Sequence, residues 1–374
     1  MTEKLTIGIV RRGFSSSGGA EAYLKRLAAG VVEAGHRVAL YTSADWPAAE
    51  WDSGPIVRLG ATTAIGFADE LEKLRRDPST ALGTTGKRDG DVLLSLERVW
   101  RCDVYRAGDG VHRAWLERRN EITGPLGRLG RLFNRKHSAV LSLEESLFAK
   151  RGADRVIANS RMVKEEIIRF YGFPAEKIKV VYNGVPFRSL QRSDEDRAKT
   201  REALGLGVDD IVVLFAGSGW ERKGLRFAIE AVARQDKRMK LFVAGRGESR
   251  RFFSPRVRFL GVVREMPALY RAADIFVLPT LYDAFSNACL EALASGRPVI
   301  TTRANGFSEV IETGRHGTIV DRAGNVDAIG TALEFWSDPA RRAQAQIDNL
   351  ALAAQFDIAT NVAKTLQILA GVGS

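Results

Sequence analysis

The feature that most constrains this chain is an alternation of short β-branched runs with longer helix-period segments, begun near the N-terminus and begun again after Asp209. Leu5 to Val10 reads as a buried strand, Ala20 to Ala34 as a helix and Arg37 to Thr42 as the next strand, with glycine or polar punctuation between them. The rhythm returns in Ile211 to Ala216, Lys240 to Ala244, Val257 to Leu260, Ile275 to Leu278 and Pro298 to Thr301, again separated by helical segments. Short apolar strands joined by helices call for a parallel sheet covered on both faces. The spacing therefore predicts an α/β chain of two Rossmann-like doubly wound domains, and 374 residues are more than one core usually organises.

We expect the first domain to span 1–185 and the second 186–355, with the charged, weakly periodic stretch Arg188 to Arg201 as the link between the two sets of strands. The last segment, about 356–374, is expected to form a helix that packs back on the first domain. Ligands of open parallel sheets bind outside the carboxyl ends of the strands, so the expected site is a central cleft that the two domains face.

Two cysteines, Cys102 and Cys289, are too few for a disulfide framework and lack metal-ligand spacing, which fits a reducing cytosol and a chain without a metal site. The polar N-terminal residues lead straight into a strand, so no signal peptide is expected, and no apolar run approaches the ~18 residues of a membrane-spanning helix. The net charge of +11 calls for an anionic partner. Charge alone does not choose among nucleic acid, a phosphate-bearing substrate and an acidic membrane face.

Ser17-Gly18-Gly19-Ala20-Glu21 follows the first strand and opens the first helix, where bare backbone and helix N–H groups can meet an anion. A tight turn without a ligand explains the same residues. Gly217-Ser218-Gly219-Trp220-Glu221-Arg222-Lys223-Gly224 repeats that position in the second half, with two adjacent cations able to neutralise a departing diphosphate; a solvated surface pair is the plainer reading. The third glycine of a G-x-G-x-x-G fingerprint would fall on Arg222, and Gly83-Thr84-Thr85-Gly86-Lys87-Arg88 fails the P-loop spacing, so nicotinamide and ATP chemistry are both disfavoured.

The longest motif runs from Pro279 to Pro298. A loop carrying Asp283 follows a strand, a helix is capped near Ser286, and Glu291 sits little more than one turn inside it. The helix start offers donors to phosphate, and Glu291 can accept both hydroxyls of a ribose. A structural reading, Glu291 paired with an arginine and Asp283 capping a helix, stands beside it.

Taken in order, the Gly18-Gly19 loop, Tyr182-Asn183-Gly184-Val185, Arg222-Lys223-Gly224, the segment Asp283 to Pro298 and Asn305-Gly306-Phe307-Ser308-Glu309 resemble glycosyltransferase family 4, the retaining enzymes of the GT-B fold, over nearly the whole chain. The resemblance implies that Arg222 and Lys223 hold the diphosphate, that Glu291 holds the ribose, and that Ala284, Phe285, Ser286 and Asn287 line the phosphate and sugar. It further implies that Val262 packs near the base and that Gly18, Gly19 and Gly219 approach the donor. Asp283 stands where the family has glutamate, about 1.5 Å shorter in reach, at the position that binds donor-sugar hydroxyls.

Val104 to His112 is similar to the stretch of lipopolysaccharide-core heptose glucosyltransferases that ends in an aspartate facing the transferred sugar, which makes Asp109 the catalytic candidate and His112 the second. Arg113 to Lys136 carries seven Arg or Lys against two Glu, interleaved with apolar residues, and Arg113, Arg128, Arg131 and Arg135 are its candidates for an anionic membrane or a lipid-linked acceptor. A solvated, partly core-facing helix is the alternative, and no nucleic-acid-binding module accompanies the charge.

The expectation is a cytoplasmic enzyme, peripheral on the inner face of the cell membrane. It would move glucose from UDP-glucose to a lipid-linked or lipopolysaccharide-type acceptor, with no cofactor and, with no Asp-x-Asp motif in the expected loop, no metal. A nucleotide-sugar epimerase of the same fold and a catalytically decayed sugar-nucleotide-binding protein are the competing readings.

Overall fold

Seven strands lie parallel in the order β3-β2-β1-β4-β5-β6-β7 in the first half of the chain: β1 Thr6–Val10, β2 Arg37–Thr42, β3 Ile56–Arg58, β4 Asp91–Ser95, β5 Cys102–Ala107, β6 Ala153–Ala158 and β7 Ile178–Val180. Six more lie parallel in the order β10-β9-β8-β11-β12-β13 in the second: β8 Ile211–Ala216, β9 Met239–Ala244, β10 Val257–Gly261, β11 Ile275–Leu278, β12 Val299–Thr302 and β13 Gly317–Val320. This computed structural model describes residues 4–15, 18–77, 91–122, 135–191, 194–252 and 254–372. The doubly wound α/β architecture read from the periodicity is the one observed. Central strands such as β8 and β11 are buried at every residue, because helices cover both faces and leave no side for polar alternation.

The chain divides into one unit of Met1–Asn183 with Ile358–Ser374 and another of Gly184–Asp357. In each sheet the winding reverses beside the first strand, between β1 and β4 and between β8 and β11, and a crevice at the carboxyl ends of such a pair is where doubly wound sheets bind ligands. The helix Ile358–Ala370 belongs to the first unit. It buries Val362 and Leu369 in the core around the helix Gly19–Glu33. A Cβ on Gly30 would come within 2.7 Å of Val362 Cγ2, so glycine permits the close approach. Tyr23 donates to Asn361 Oδ1 at 2.8 Å, and Asn361 Nδ2 donates to the Tyr182 carbonyl at 2.6 Å.

The stretch Arg188 to Arg201 is not a free link. It holds the helices Phe187–Leu190 and Asp194–Ala203 within the second unit. Arg197 Nη1 donates to the carbonyls of Arg271, Ala272 and Ala273 at 2.7, 2.9 and 2.7 Å, which are orphan acceptors at the end of the helix Met266–Ala272, while Nη2 meets Asp274 Oδ1 at 2.6 Å. Charge that looks loop-like in a linear reading is here a helix cap for a neighbour. Among the described residues, no helix is long and apolar enough to cross a membrane.

Candidate functional site

In the second unit the carboxyl ends of three adjacent strands are drawn together by glycines. Gly217, Gly245 and Gly261 all have positive φ, and the Gly217 and Gly245 amides donate to the carbonyls of Ala244 and Gly261 at 2.9 and 2.7 Å. A Cβ on Gly245 would lie 2.2 Å from the Gly217 oxygen. Val262 follows Gly261 and is 46% exposed. Trp220 anchors the loop after β8: its indole N–H reaches the Gly217 carbonyl at 2.9 Å and its ring lies 5.2 Å from Phe259. Its buried place was not anticipated, although a tryptophan inside a glycine loop signals a packed rather than a mobile turn.

Gly224 starts the helix Leu225–Ala233 with φ 75°, and a Cβ there would lie 1.9 Å from the Pro279 carbonyl oxygen. That contact sets the loop after β8 against the loop after β11. The Arg222 carbonyl accepts the Leu281 N–H at 2.8 Å, and Arg222 Nη1 donates to the Tyr282 carbonyl at 2.7 Å. Lys223 Nζ lies 3.2 Å from Asp283 Oδ2 and Arg222 Nη1 lies 3.9 Å from it. Three of the predicted residues therefore form one charge cluster, and Asp283 is held back on the cations.

The backbone around Asp283 is strapped on both sides. Its N–H donates to Ala304 at 3.0 Å and its carbonyl accepts from Gly306 at 2.9 Å. Behind it, fully buried Asn305 accepts the N–H groups of Ser286 at 3.2 Å and Phe307 at 3.1 Å, and donates to Thr301 Oγ1 at 2.9 Å. Ser286 caps the helix Asn287–Ala294 through the Cys289 N–H at 3.3 Å. Ala284, Phe285 and Ser286 are buried, with Phe285 edge-on to Phe307 at 5.7 Å, while Asn287 is half-buried. The Ser286 amide expected to face phosphate is thus spent on Asn305. Glu291, half-buried, accepts from Tyr270 through Oε2 at 3.1 Å.

In the first unit Gly18 precedes the helix Gly19–Glu33, and a Cβ on it would fall 1.8 Å from Glu21 Oε2. Glycine here leaves room for a buried carboxylate, which accepts from Arg11 Nη2 at 3.0 Å. Arg11 also lies 3.7 Å from Asp109 and 3.8 Å from Glu97, and Arg98 lies 3.9 Å from Asp109. Burial opposes the Arg11 charge, but Asp109, Glu97 and Glu21 outweigh it and hold its pKa above the ordinary value. Asp109 itself is half exposed on a turn between the two guanidiniums.

His112 begins the helix His112–Ile122, and its Nε2 lies 2.9 Å from His137 Nδ1. Burial, then the neighbouring Arg98, depress its pKa to about 4 against the pull of Glu144, so it is neutral near pH 7. Glu144, on the helix Arg135–Phe148, was missed by sequence reasoning. Fully buried, it accepts the His112 N–H at 2.6 Å, the Arg113 N–H at 3.3 Å, Arg98 Nε at 2.9 Å and the Tyr171 hydroxyl at 2.9 Å. It caps one helix from another and orients Arg98 beside Asp109. The available signal was an acid one residue past Leu143 and three before Leu147, on an apolar stripe.

Arg113 lies over the Phe170 ring at 5.3 Å, Arg118 is spent on Glu166 at 2.8 Å, and Arg135 is exposed. Arg128 and Arg131 lie outside the described residues.

Residues 210–336 match the family of glycosyl transferases group 1, and residues 107–188 match glycosyltransferase family 4. A glycosyltransferase of Methanocaldococcus jannaschii is 28% identical over 330 residues, 79% of each chain. A D-inositol 3-phosphate glycosyltransferase of Pseudarthrobacter chlorophenolicus is 26% identical over 368 residues, 88% of this chain and 84% of the relative. In fold, the crystal structure of WaaG, a glycosyltransferase involved in lipopolysaccharide biosynthesis, superposes with a TM-score of 0.81 at 19% identity over 97% of this chain and 99% of that one. Anabaena HepE in complex with UDP-glucose superposes with a TM-score of 0.73 at 21% identity, over 97% and 99%. With a family match in each parallel-sheet unit and neighbours of the same fold along almost its whole length, this chain is a glycosyltransferase of the GT-B type.

Proposed function

We propose that the protein moves a hexose, glucose, from UDP-glucose to a sugar on a lipid-linked cell-envelope glycan such as lipopolysaccharide core, with retention at the anomeric carbon. The observation that carries this reading is the cluster of Arg222, Lys223 and Asp283 where the loops after β8 and β11 meet, at the switch point of the second sheet. Rupture of the anomeric bond leaves negative charge on the departing UDP. Two fixed cations and the start of the helix Asn287–Ala294 stabilise that charge as it develops. Glu291 takes the ribose hydroxyls, Val262 covers the base, and Asp283 meets hydroxyls of the glucose once the diphosphate has drawn Lys223 away.

On the acceptor side, Asp109 faces the transferred sugar, with His112 neutral beside it, and the leaving phosphate takes the acceptor proton from the face it departs. The UDP-glucose assignment is supported by the ligand of the HepE structure, and the cell-envelope acceptor by the biosynthetic role named for WaaG. The basic segment containing Arg128, Arg131 and Arg135 supports a peripheral position on the cytoplasmic face of the membrane.

A thermal-unfolding screen of UDP-, GDP- and ADP-sugars tests the donor. UDP-glucose at a hundred times its Kd should add about 2.7 kcal/mol of stability, and Arg222→Ala or Lys223→Ala should remove most of that gain. A response to GDP- or ADP-sugars with none to UDP-sugars would overturn the donor assignment.

A further inference from the structure

Tyr270 stands where no sequence motif placed a functional residue. It lies on the helix Met266–Ala272, is 1% exposed, and its hydroxyl donates to Glu291 Oε2 at 3.1 Å. Its ring is set against Phe276 of β11, with centroids 5.9 Å apart. Phenylalanine would fill the same space without needing an acceptor, so the hydroxyl is matched to the carboxylate rather than to the core.

The backbone on either side of this bond is anchored independently of it. Directly after Tyr270, Arg197 caps the carbonyls of Arg271, Ala272 and Ala273. The Asp274 N–H then donates to the Val212 carbonyl at 2.8 Å, and Asp274 Oδ2 accepts the Val212 N–H at 2.8 Å, which ties the end of the helix to β8. Across from it, the helix Asn287–Ala294 is capped by Ser286 and buries Leu290, Ala292 and Leu293 around Glu291. With both backbones fixed, the freedom left at this point is that of the Glu291 side chain. A glutamate gives up rotamer freedom when it takes a ligand, and a bond made before the ligand arrives has already removed that freedom. An ionised carboxylate offers about four lone-pair sites on two oxygens, so a bond from Tyr270 keeps acceptor capacity for two hydroxyls.

We infer that Tyr270 is a positioning residue: its hydroxyl holds the Glu291 carboxylate in the orientation that accepts the 2′- and 3′-hydroxyls of the donor, and so sets a preference for ribose over its deoxy forms. The inference rests on the Glu291 role in the proposed function. It does not rest on uridine, because the ribose is common to all nucleoside diphosphates.

Calorimetric titration of the full chain with UDP, ADP and GDP, each beside its 2′,3′-dideoxy form, tests it. For the nucleotide that binds most tightly, the wild type should prefer the ribose form about tenfold or more. Tyr270→Phe should weaken the ribose form about fivefold or more and hold the dideoxy form within about twofold, so that the dideoxy affinity reports a folded site. Glu291→Gln should lose the same preference, and adding Tyr270→Phe to it should cost less than about twofold more. Equal weakening of both forms by Tyr270→Phe would make the tyrosine a packing residue and overturn the inference. An unchanged affinity for the ribose form, or a full further loss in the double variant, would overturn it too. Binding of ADP or GDP with none of UDP would defeat the donor assignment, while the pair that binds still decides Tyr270. A wild type that binds no nucleotide, or shows no preference for ribose, would overturn the Glu291 role and the inference together.

Discussion

Replacing Asp283 with asparagine should tighten UDP binding while slowing sugar transfer, because in the proposed reaction the carboxylate has two successive partners. In the structure it lies 3.2 Å from Lys223 Nζ, and both side chains are 13% exposed. At an effective dielectric of ~20, unit charges at that distance attract by about 5 kcal/mol before desolvation is counted. Removing both from water offsets most of that, leaving about 1.5–3 kcal/mol for a charge-assisted hydrogen bond at a partly buried site.

A diphosphate that recruits Lys223 must displace this bond. Asp283→Asn removes the competing charge but keeps a carbonyl oxygen, so part of the interaction survives. We expect UDP affinity to rise about three- to tenfold, the equivalent of roughly 0.7–1.4 kcal/mol. Transfer should fall at least about tenfold, since the carboxylate is then missing for the glucose hydroxyls. Calorimetric titration of UDP and a UDP-release assay with acceptor measure the two effects separately. Weaker UDP binding in the variant would refute the competition, and unchanged transfer would refute a contact between Asp283 and the sugar.

Gly224→Ala forces a Cβ to within 1.9 Å of the Pro279 carbonyl at a φ of 75°. The second unit should lose about 2–4 kcal/mol, seen as a Tm lower by about 5–12 °C, with UDP affinity falling as Lys223 shifts; an unchanged Tm would deny that the two loops are packed together. Asn305→Ala leaves the buried amides of Ser286 and Phe307 without their acceptor and should cost about 2–4 kcal/mol in denaturant unfolding. A loss under 1 kcal/mol would deny its bracing role. His112 gives a pH signature. Its folded pKa is depressed from the ordinary 6.5 to about 4, so between those values the unfolded state binds the extra proton, and stability falls as pH drops through that window. His112→Gln should flatten the slope of denaturant midpoint against pH, leaving the part due to His316, whose pKa burial also lowers; an unaltered slope would contradict the neutral imidazole.

How much of this was legible before folding depended on how local each feature is. The Gly217–Gly224 loop, the Ser286 cap and the position of Glu291 one turn beyond it are properties of consecutive residues, and the structure keeps them close to where spacing placed them. Arg188 to Arg201 was misread because a charged helix whose arginines cap a neighbouring helix has no apolar stripe to announce it. Glu144 and Asn305 escaped notice because a buried polar side chain is defined by partners elsewhere in the chain. The His112 amide that Glu144 accepts is 32 residues away, and the Ser286 amide that Asn305 accepts is 19 away.

Periodicity alone determined that this chain makes two parallel sheets with glycine loops at strand ends, because burial on both faces of a strand is written into every consecutive residue. Only the tertiary structure decided that Asp283 rests on Lys223, 60 residues away. That pairing exists because β8 and β11 are neighbours at the point where the winding reverses. A carboxylate's charge partner is set by which strands end side by side, and no local pattern carries that information.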